Sequence, residues 1–192
     1  MNEAHLKVAV IAGEESGDIL GADLIAELKR RFDGKLELAG VGGAHLQAEG
    51  LKSMFDPDEI ALVGLSAIMR RLPRLLSLIR RTSKALVAFK PDVLIIIDAP
   101  EFTHRVARRM RAAMPGLPVV NYVCPSVWAW RSQRAVEMTA YVDEVLCLLP
   151  FEPGALRVLG GPHGTFVGHR LAHDVDVLRV RAERTARAPE GR

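Results

Sequence analysis

The sequence predicts an α/β fold, a Rossmann-like doubly wound parallel sheet with helices on both faces. Three observations carry that prediction. The runs 7–12 (KVAVIA) and Val93–Ile97 (VLIII) are apolar and rich in Val and Ile, as strands buried on both faces are. Amphipathic stretches with helical spacing alternate with such runs, the pattern of βαβ units. The chain has 192 residues, 49% hydrophobic and 26% charged, which suits one globular domain and excludes disorder of the whole chain.

The elements follow in order. The first strand, 7–12, ends at Gly13. A helix follows over 18–32, with Ile19, Leu20, Leu24, Ile25 and Leu28 on one face and Asp18 as its cap. A second strand spans 36–41 and is closed by glycines at 40, 42 and 43, and a short helix runs from Ala44 to Gly50. After the strand Val93–Ile97 come a helix over 103–113, a strand over 119–123, a helix over 131–141 and a strand over 145–149. Residues 1–174 form the body, and 175–192 read as an irregular Arg/Ala-rich tail. In doubly wound sheets ligands bind beyond the carboxyl ends of the strands. The loops after 12, 41, 97, 123 and 149 are therefore where chemistry is expected.

Net charge is only +3, and its distribution carries more information than its size. The tail from Asp176 holds five Arg against three acids, so the body is near neutral. Between Glu59 and Asp92, and again over 102–136, there is no acid but a cluster of arginines. Such zones suit an anionic partner: a phosphorylated ligand, an acidic membrane surface or nucleic acid. They equally suit solvated helix faces. Cys124 and Cys147 form no zinc pattern and no Cys-x-x-Cys, so a reducing compartment fits. The start is too polar for a signal peptide, and no apolar run reaches a membrane-spanning length.

The segment 62–81 carries an apolar stripe at Leu65, Ile68, Met69, Leu72, Leu75, Leu76 and Ile79, interleaved with Arg70, Arg71, Arg74, Arg80 and Arg81. Pro73 is expected to start a second helix there. A basic amphipathic element of this kind either lies on an anionic membrane or packs its stripe on the sheet.

Three loops could carry chemistry. GEESGD (13–18) joins strand to helix but matches neither a dinucleotide fingerprint nor a P-loop. In IDAPEF (97–102), Asp98 ends a buried strand, where a carboxylate is costly unless used or well bonded. It could act as a general base on a hydroxyl, or it could cap the next helix. YVCPSVWAWR (122–131) gathers both tryptophans of the chain in one loop. Aromatics there can floor a sugar or acyl pocket, and Arg131 can hold a phosphate. Cys124 has no assignable basic partner as a nucleophile, and His163, His169 and His173 match no ordinary zinc spacing.

Taken in order, GEESGD (13–18), GVGGAHLQAEG (40–50), IDAPEF (97–102), YVCPSVWAWR (122–131), LPFE (149–152) and FVGH (166–169) resemble the lipid-A-disaccharide synthase family. The resemblance implies the N-terminal domain of a GT-B glycosyltransferase. The family transfers 2,3-diacylglucosamine from UDP-2,3-diacylglucosamine to the 6-hydroxyl of 2,3-diacylglucosamine 1-phosphate. It uses no metal and no cofactor, has no nucleic-acid partner, and works on the cytoplasmic face of the inner membrane. By resemblance Asp98 is the catalytic base. Glu15, Ser16, Gly17, Asp18, Glu101, Ser126, Trp128 and Arg131 would bind substrate. Leu65, Ile68, Met69, Leu72, Leu75 and Leu76 would meet acyl chains and an anionic membrane surface. A homo-oligomer is compatible with this reading.

Three positions depart from the family pattern. Glu101 stands for the usual Asp and Cys124 for the usual Ser. After FVGH the expectation is that the C-terminal nucleotide-sugar domain is absent and that the tail resembles nothing in the family. The expectation is an acceptor-side half that does not turn over alone. The alternative is a stand-alone membrane- or lipid-binding module without catalysis.

Overall fold

A computed structural model describes the chain at 4–60 and 65–187, without the side chains of 65–71, 173, 182 and 185–187. The chain runs β1 (His5–Ala12), α1 (Glu15–Arg31), β2 (Lys35–Val41) and α2 (Ala44–Ala48), then a short helical turn at Pro57–Glu59 and the long α3 (Leu65–Phe89). It continues through β3 (Val93–Ile97), α4 (Pro100–Ala113), β4 (Val119–Tyr122), α5 (Gln133–Met138), β5 (Glu144–Cys147), α6 (Glu152–Val158), β6 (His163–Phe166) and α7 (Val175–Arg187).

The strands make one sheet in the order β2-β1-β3-β4-β5-β6. Every pairing is parallel, with Ile11 opposite Val41 on one side and Ile96 on the other. This is the doubly wound, Rossmann-like fold that the sequence predicts. Alternation along β1 divides its side chains between two cores. Ala9 and Ile11 join Leu78, Phe102, Val106 and Met138 under α3, α4 and α5. Val8, Val10 and Ala12 join Ile25 of α1 and Leu46 of α2 on the other face. The strand order reverses between β1 and β3, so the carboxyl ends of these two strands flank the switch point.

Several elements differ from expectation. α1 starts at Glu15 rather than Asp18, and its N-cap is Glu14 with no side-chain bond. Pro73 lies inside the continuous α3 instead of opening a second helix. A helix-internal proline costs about 3 kcal/mol. Leu75, Leu78, Ile79 and Leu86 are all buried along one face of α3, each gaining roughly 1.5–3 kcal/mol, which outweighs that cost. The strand β6 (HGTF) has no apolar signature because it is a largely exposed edge, paired only with β5. Residues Val175–Arg187, expected as part of an irregular tail, form α7. Before α7, Arg170 Nε returns to Asp23 of α1 at 3.1 Å.

Candidate active site at the switch point

Asp98 leaves the carboxyl end of β3 in a left-handed conformation, φ 50°, and Ala99 follows at φ 43°. Two consecutive non-glycine residues in this region store roughly 1–3 kcal/mol each. The Thr103 hydroxyl holds the kink by donating to the carbonyls of Asp98 at 2.7 Å and Ala99 at 3.1 Å. The N-cap of α4 is Ala99, with no side-chain bond. The Asp98 carboxylate is thus not a helix cap. It turns to the loop after β1, where Ser16 Oγ donates to its Oδ2 at 3.4 Å. Burial raises its pKa above the ordinary carboxylate value, the nearby Glu14 charge adds to this, and the Ser16 bond opposes it. A half-buried carboxylate of raised pKa beside a cleft has the character of a general base.

Glycine makes this approach possible. A Cβ on Gly17 would stand 3.1 Å from Asp98 Oδ2, and one on Gly13 would stand 2.4 Å from the Ala99 Cβ. Gly17, buried in the first turn of α1, thus contributes space for the Asp98 carboxylate.

Asp18, expected to bind substrate, is only 3% exposed. Its carboxylate accepts N–H bonds from Gly43 at 2.7 Å, His45 at 2.8 Å and Leu46 at 3.2 Å. It caps α2, not α1, and ties the GVGG loop to the GEESGD loop. The substrate-binding expectation for Asp18 is corrected: the carboxylate is buried and is engaged by three backbone N–H groups. Glu15 and Ser16 are exposed in the first turn of α1.

Two depressions meet at Pro100, the first residue of α4. One, of about 160 Å³, has Glu14 and Glu101 at its lip and Ile60, Leu75 and Phe102 in its wall. The other, of about 140 Å³, is lined by Ser126, Trp130, Arg131 and Arg134. Arg131 (φ 54°) stacks its guanidinium 4.7 Å from the Trp130 ring centre. Trp128 instead packs edge-on against Phe151 at 5.0 Å. Glu101 pairs with Arg105 at 3.2 Å and Arg134 at 3.3 Å, so it orders two cations at this lip. No motif in the sequence marks Arg134, Ile60 or Phe102 as site residues. Arg134 lies within the acid-free basic stretch, which was its only signal.

The expected acyl-contact stripe divides. Leu65, Ile68 and Met69 have side chains outside the described residues. Leu75 is 4% exposed and belongs to the core, so its expected membrane contact is corrected. Leu72 is half-buried and Leu76 is 38% exposed. Among the described residues, no helix is long and apolar enough to cross a membrane.

Cys124 is buried, and burial pushes its thiol pKa far up, which disfavours a free thiolate; the Cys147 thiol is pushed up to about 11. His163 pairs locally with Glu144 at 2.7 Å, and His169 accepts from the Leu171 N–H at 3.2 Å.

A Rossmann-like domain with a carboxylate at its switch point, flanked by an apolar and a cationic depression, has its crevice where doubly wound sheets bind ligands. The fold is shared, at 16% identity and TM-score 0.59, with the S. aureus MnaA–UDP structure, over 91% of this chain and 46% of that one. It is shared with the Neisseria meningitidis UDP-GlcNAc 2-epimerase bound to UDP-GlcNAc, at 14% identity and TM-score 0.55, over 96% and 50%.

The chain belongs to the lipid-A-disaccharide synthetase family, whose model matches residues 8–188. That match runs through most of the Arg/Ala-rich stretch expected to resemble nothing in the family. The chain is 52% identical over 181 residues to the lipid-A-disaccharide synthase of Nitrobacter winogradskyi, covering 94% of this chain and 46% of that protein. It is 45% identical over 169 residues to that of Xanthomonas oryzae pv. oryzae, covering 88% and 38%. The chain spans about half the length of the curated relatives it matches.

Proposed function

We propose that this chain is the acceptor-side half of a lipid-A-disaccharide synthase, with residues 1–174 as its catalytic-base domain. The substrates are UDP-2,3-diacylglucosamine and 2,3-diacylglucosamine 1-phosphate. The carrying observation is the Asp98 carboxylate, half-buried at the switch point and bonded to Ser16. Asp98 takes the proton of the acceptor 6-hydroxyl, and the oxygen attacks the anomeric carbon of the donor. The bond to UDP breaks and UDP leaves with its electron pair. One displacement inverts the anomeric centre, so a single carboxylate suffices. The raised pKa of Asp98 makes it a stronger base than an exposed aspartate.

The remaining roles follow from local chemistry. Arg131 and Arg134, with the Ser126 hydroxyl, suit an acceptor phosphate. Ile60, Leu75 and Phe102 suit the start of an acyl chain beside Asp98. Leu72 and Leu76, among the arginines of α3, suit an anionic bilayer surface, which supports peripheral attachment to the cytoplasmic face of the inner membrane. The other half of the protein supplies the donor side.

The test is a chimera that completes this chain with the C-terminal half of the Nitrobacter winogradskyi relative. UDP release with both lipids present is expected, and Asp98→Ala should reduce it by roughly 10²–10⁴-fold. Near-normal turnover in that variant would refute the role of Asp98.

A further inference from the structure

Under the loop that carries Ser126, Trp128 and Arg131 lies a cluster that the proposed reaction does not use. Cys124 follows β4, Cys147 ends β5, and Glu152 opens α6; all three are buried. The two Sγ atoms and a Glu152 carboxylate oxygen lie within 4.8 Å of one another. We infer that Cys124, Cys147 and Glu152 form a binding site for one thiophilic divalent cation, of the zinc or cadmium class.

Geometry and charge both support the site. Tetrahedral zinc with bonds of ~2.3 Å places two sulfurs about 3.8 Å apart, so the three groups need contract by only about 1 Å. Glu152 is 4% exposed, and among the described residues its carboxylate is met by the Leu149 N–H at 2.9 Å and by no Lys or Arg. A buried carboxylate without a counter-charge is costly, and a cation beside it relieves that cost.

Ion entry breaks the two S–H bonds, releases both protons to solvent and forms two metal–sulfur bonds from the sulfur electron pairs. That requirement favours ions with high thiolate affinity and rejects Mg²⁺ and Ca²⁺. Three protein ligands leave a fourth position for water. The ion would clamp the base of the 124–131 loop to β5 and α6.

The experiment adds Cd²⁺ to the chelator-stripped chain under a non-thiol reductant and reads the ultraviolet thiolate-to-metal charge-transfer band. One ion per chain is expected, with a rise in melting temperature because the folded state binds. Cys124→Ser, Cys147→Ser and Glu152→Gln should each weaken binding by at least about 10-fold, the lower end of losses seen even for outer-shell changes. If the Cys147 variant does not fold, Cys124→Ser and Glu152→Gln decide the matter. Glu152→Gln retains an acceptor for the Leu149 N–H. Absence of the band, binding unchanged in the folded variants, or a fall in melting temperature would each overturn the site.

Discussion

Ser16 Oγ reaches Asp98 Oδ2 at 3.4 Å although 82 residues separate them in the chain. One follows β1 and the other follows β3, so the contact spans the switch point of the sheet. Because the Ser16 bond favours the charged carboxylate, its removal has a definite sign. In the completed chimera, Ser16→Ala should raise the Asp98 pKa further and move the acid limb of the kcat/KM profile to higher pH. The rate should fall about five- to tenfold, the scale of one hydrogen bond. An unmoved acid limb would show that Ser16 does not act on Asp98.

Asp18 is expected to matter for stability before chemistry. Asp18→Ala strands three N–H groups at the start of α2 and should cost about 2–4 kcal/mol in urea unfolding. Asp18→Asn keeps an acceptor and should cost less. Equal losses would mean that the bonds to Gly43, His45 and Leu46 are not the source.

The two neighbouring leucines of α3 separate core from surface. Leu76→Ser should weaken flotation with anionic vesicles and leave the melting temperature almost unchanged. Leu75→Ser should lower stability by roughly 2–5 kcal/mol, as buried leucine truncations do. Flotation unchanged by Leu76→Ser with Leu72→Ser would remove α3 as a membrane contact.

His104 gives the fold an acid sensitivity. Burial holds its pKa down at about 4 from 6.5, with the Arg134 and Arg108 charges acting in the same direction. Its Nδ1 lies 3.0 Å from the Tyr141 hydroxyl. Above pH 6.5 the ring is neutral in folded and unfolded chains alike, and no stability is lost. As pH falls from 6.5 towards 4 the unfolded chain takes up the proton first, so stability declines, by roughly 3 kcal/mol in all. Urea unfolding at pH 7 and 4.5 should show this decline, reduced in His104→Phe. A decline of equal size in that variant would assign it to other groups.

What was legible in the sequence was whatever local burial writes into it. β1 and β3 are buried on both faces, so their apolar runs read as strands. The position of Asp98 at the end of VLIII followed from the same signal. β6 was illegible because an exposed edge strand needs no apolar alternation. The role of Asp18 was illegible for another reason: its partners lie 25 to 28 residues away, and a remote cap leaves no trace in spacing. Periodicity marks the segment of α3 as amphipathic but does not tell which side of the stripe faces the sheet: Leu75 packs inward while its neighbour Leu76 is exposed.

The left-handed backbone at Asp98 and Ala99 sets folding against chemistry at a single place. Glycine would occupy either position without strain, and at 98 it would also remove a half-buried charge. Asp98→Gly relieves roughly 1–3 kcal/mol of backbone strain but loosens the unfolded chain by about 0.4–1 kcal/mol, so the variant should be as stable as the original or up to about 2 kcal/mol stabler, and should lack the proposed base. A search for thermostable variants that ignored turnover would be drawn to residue 98 and would discard the proposed base.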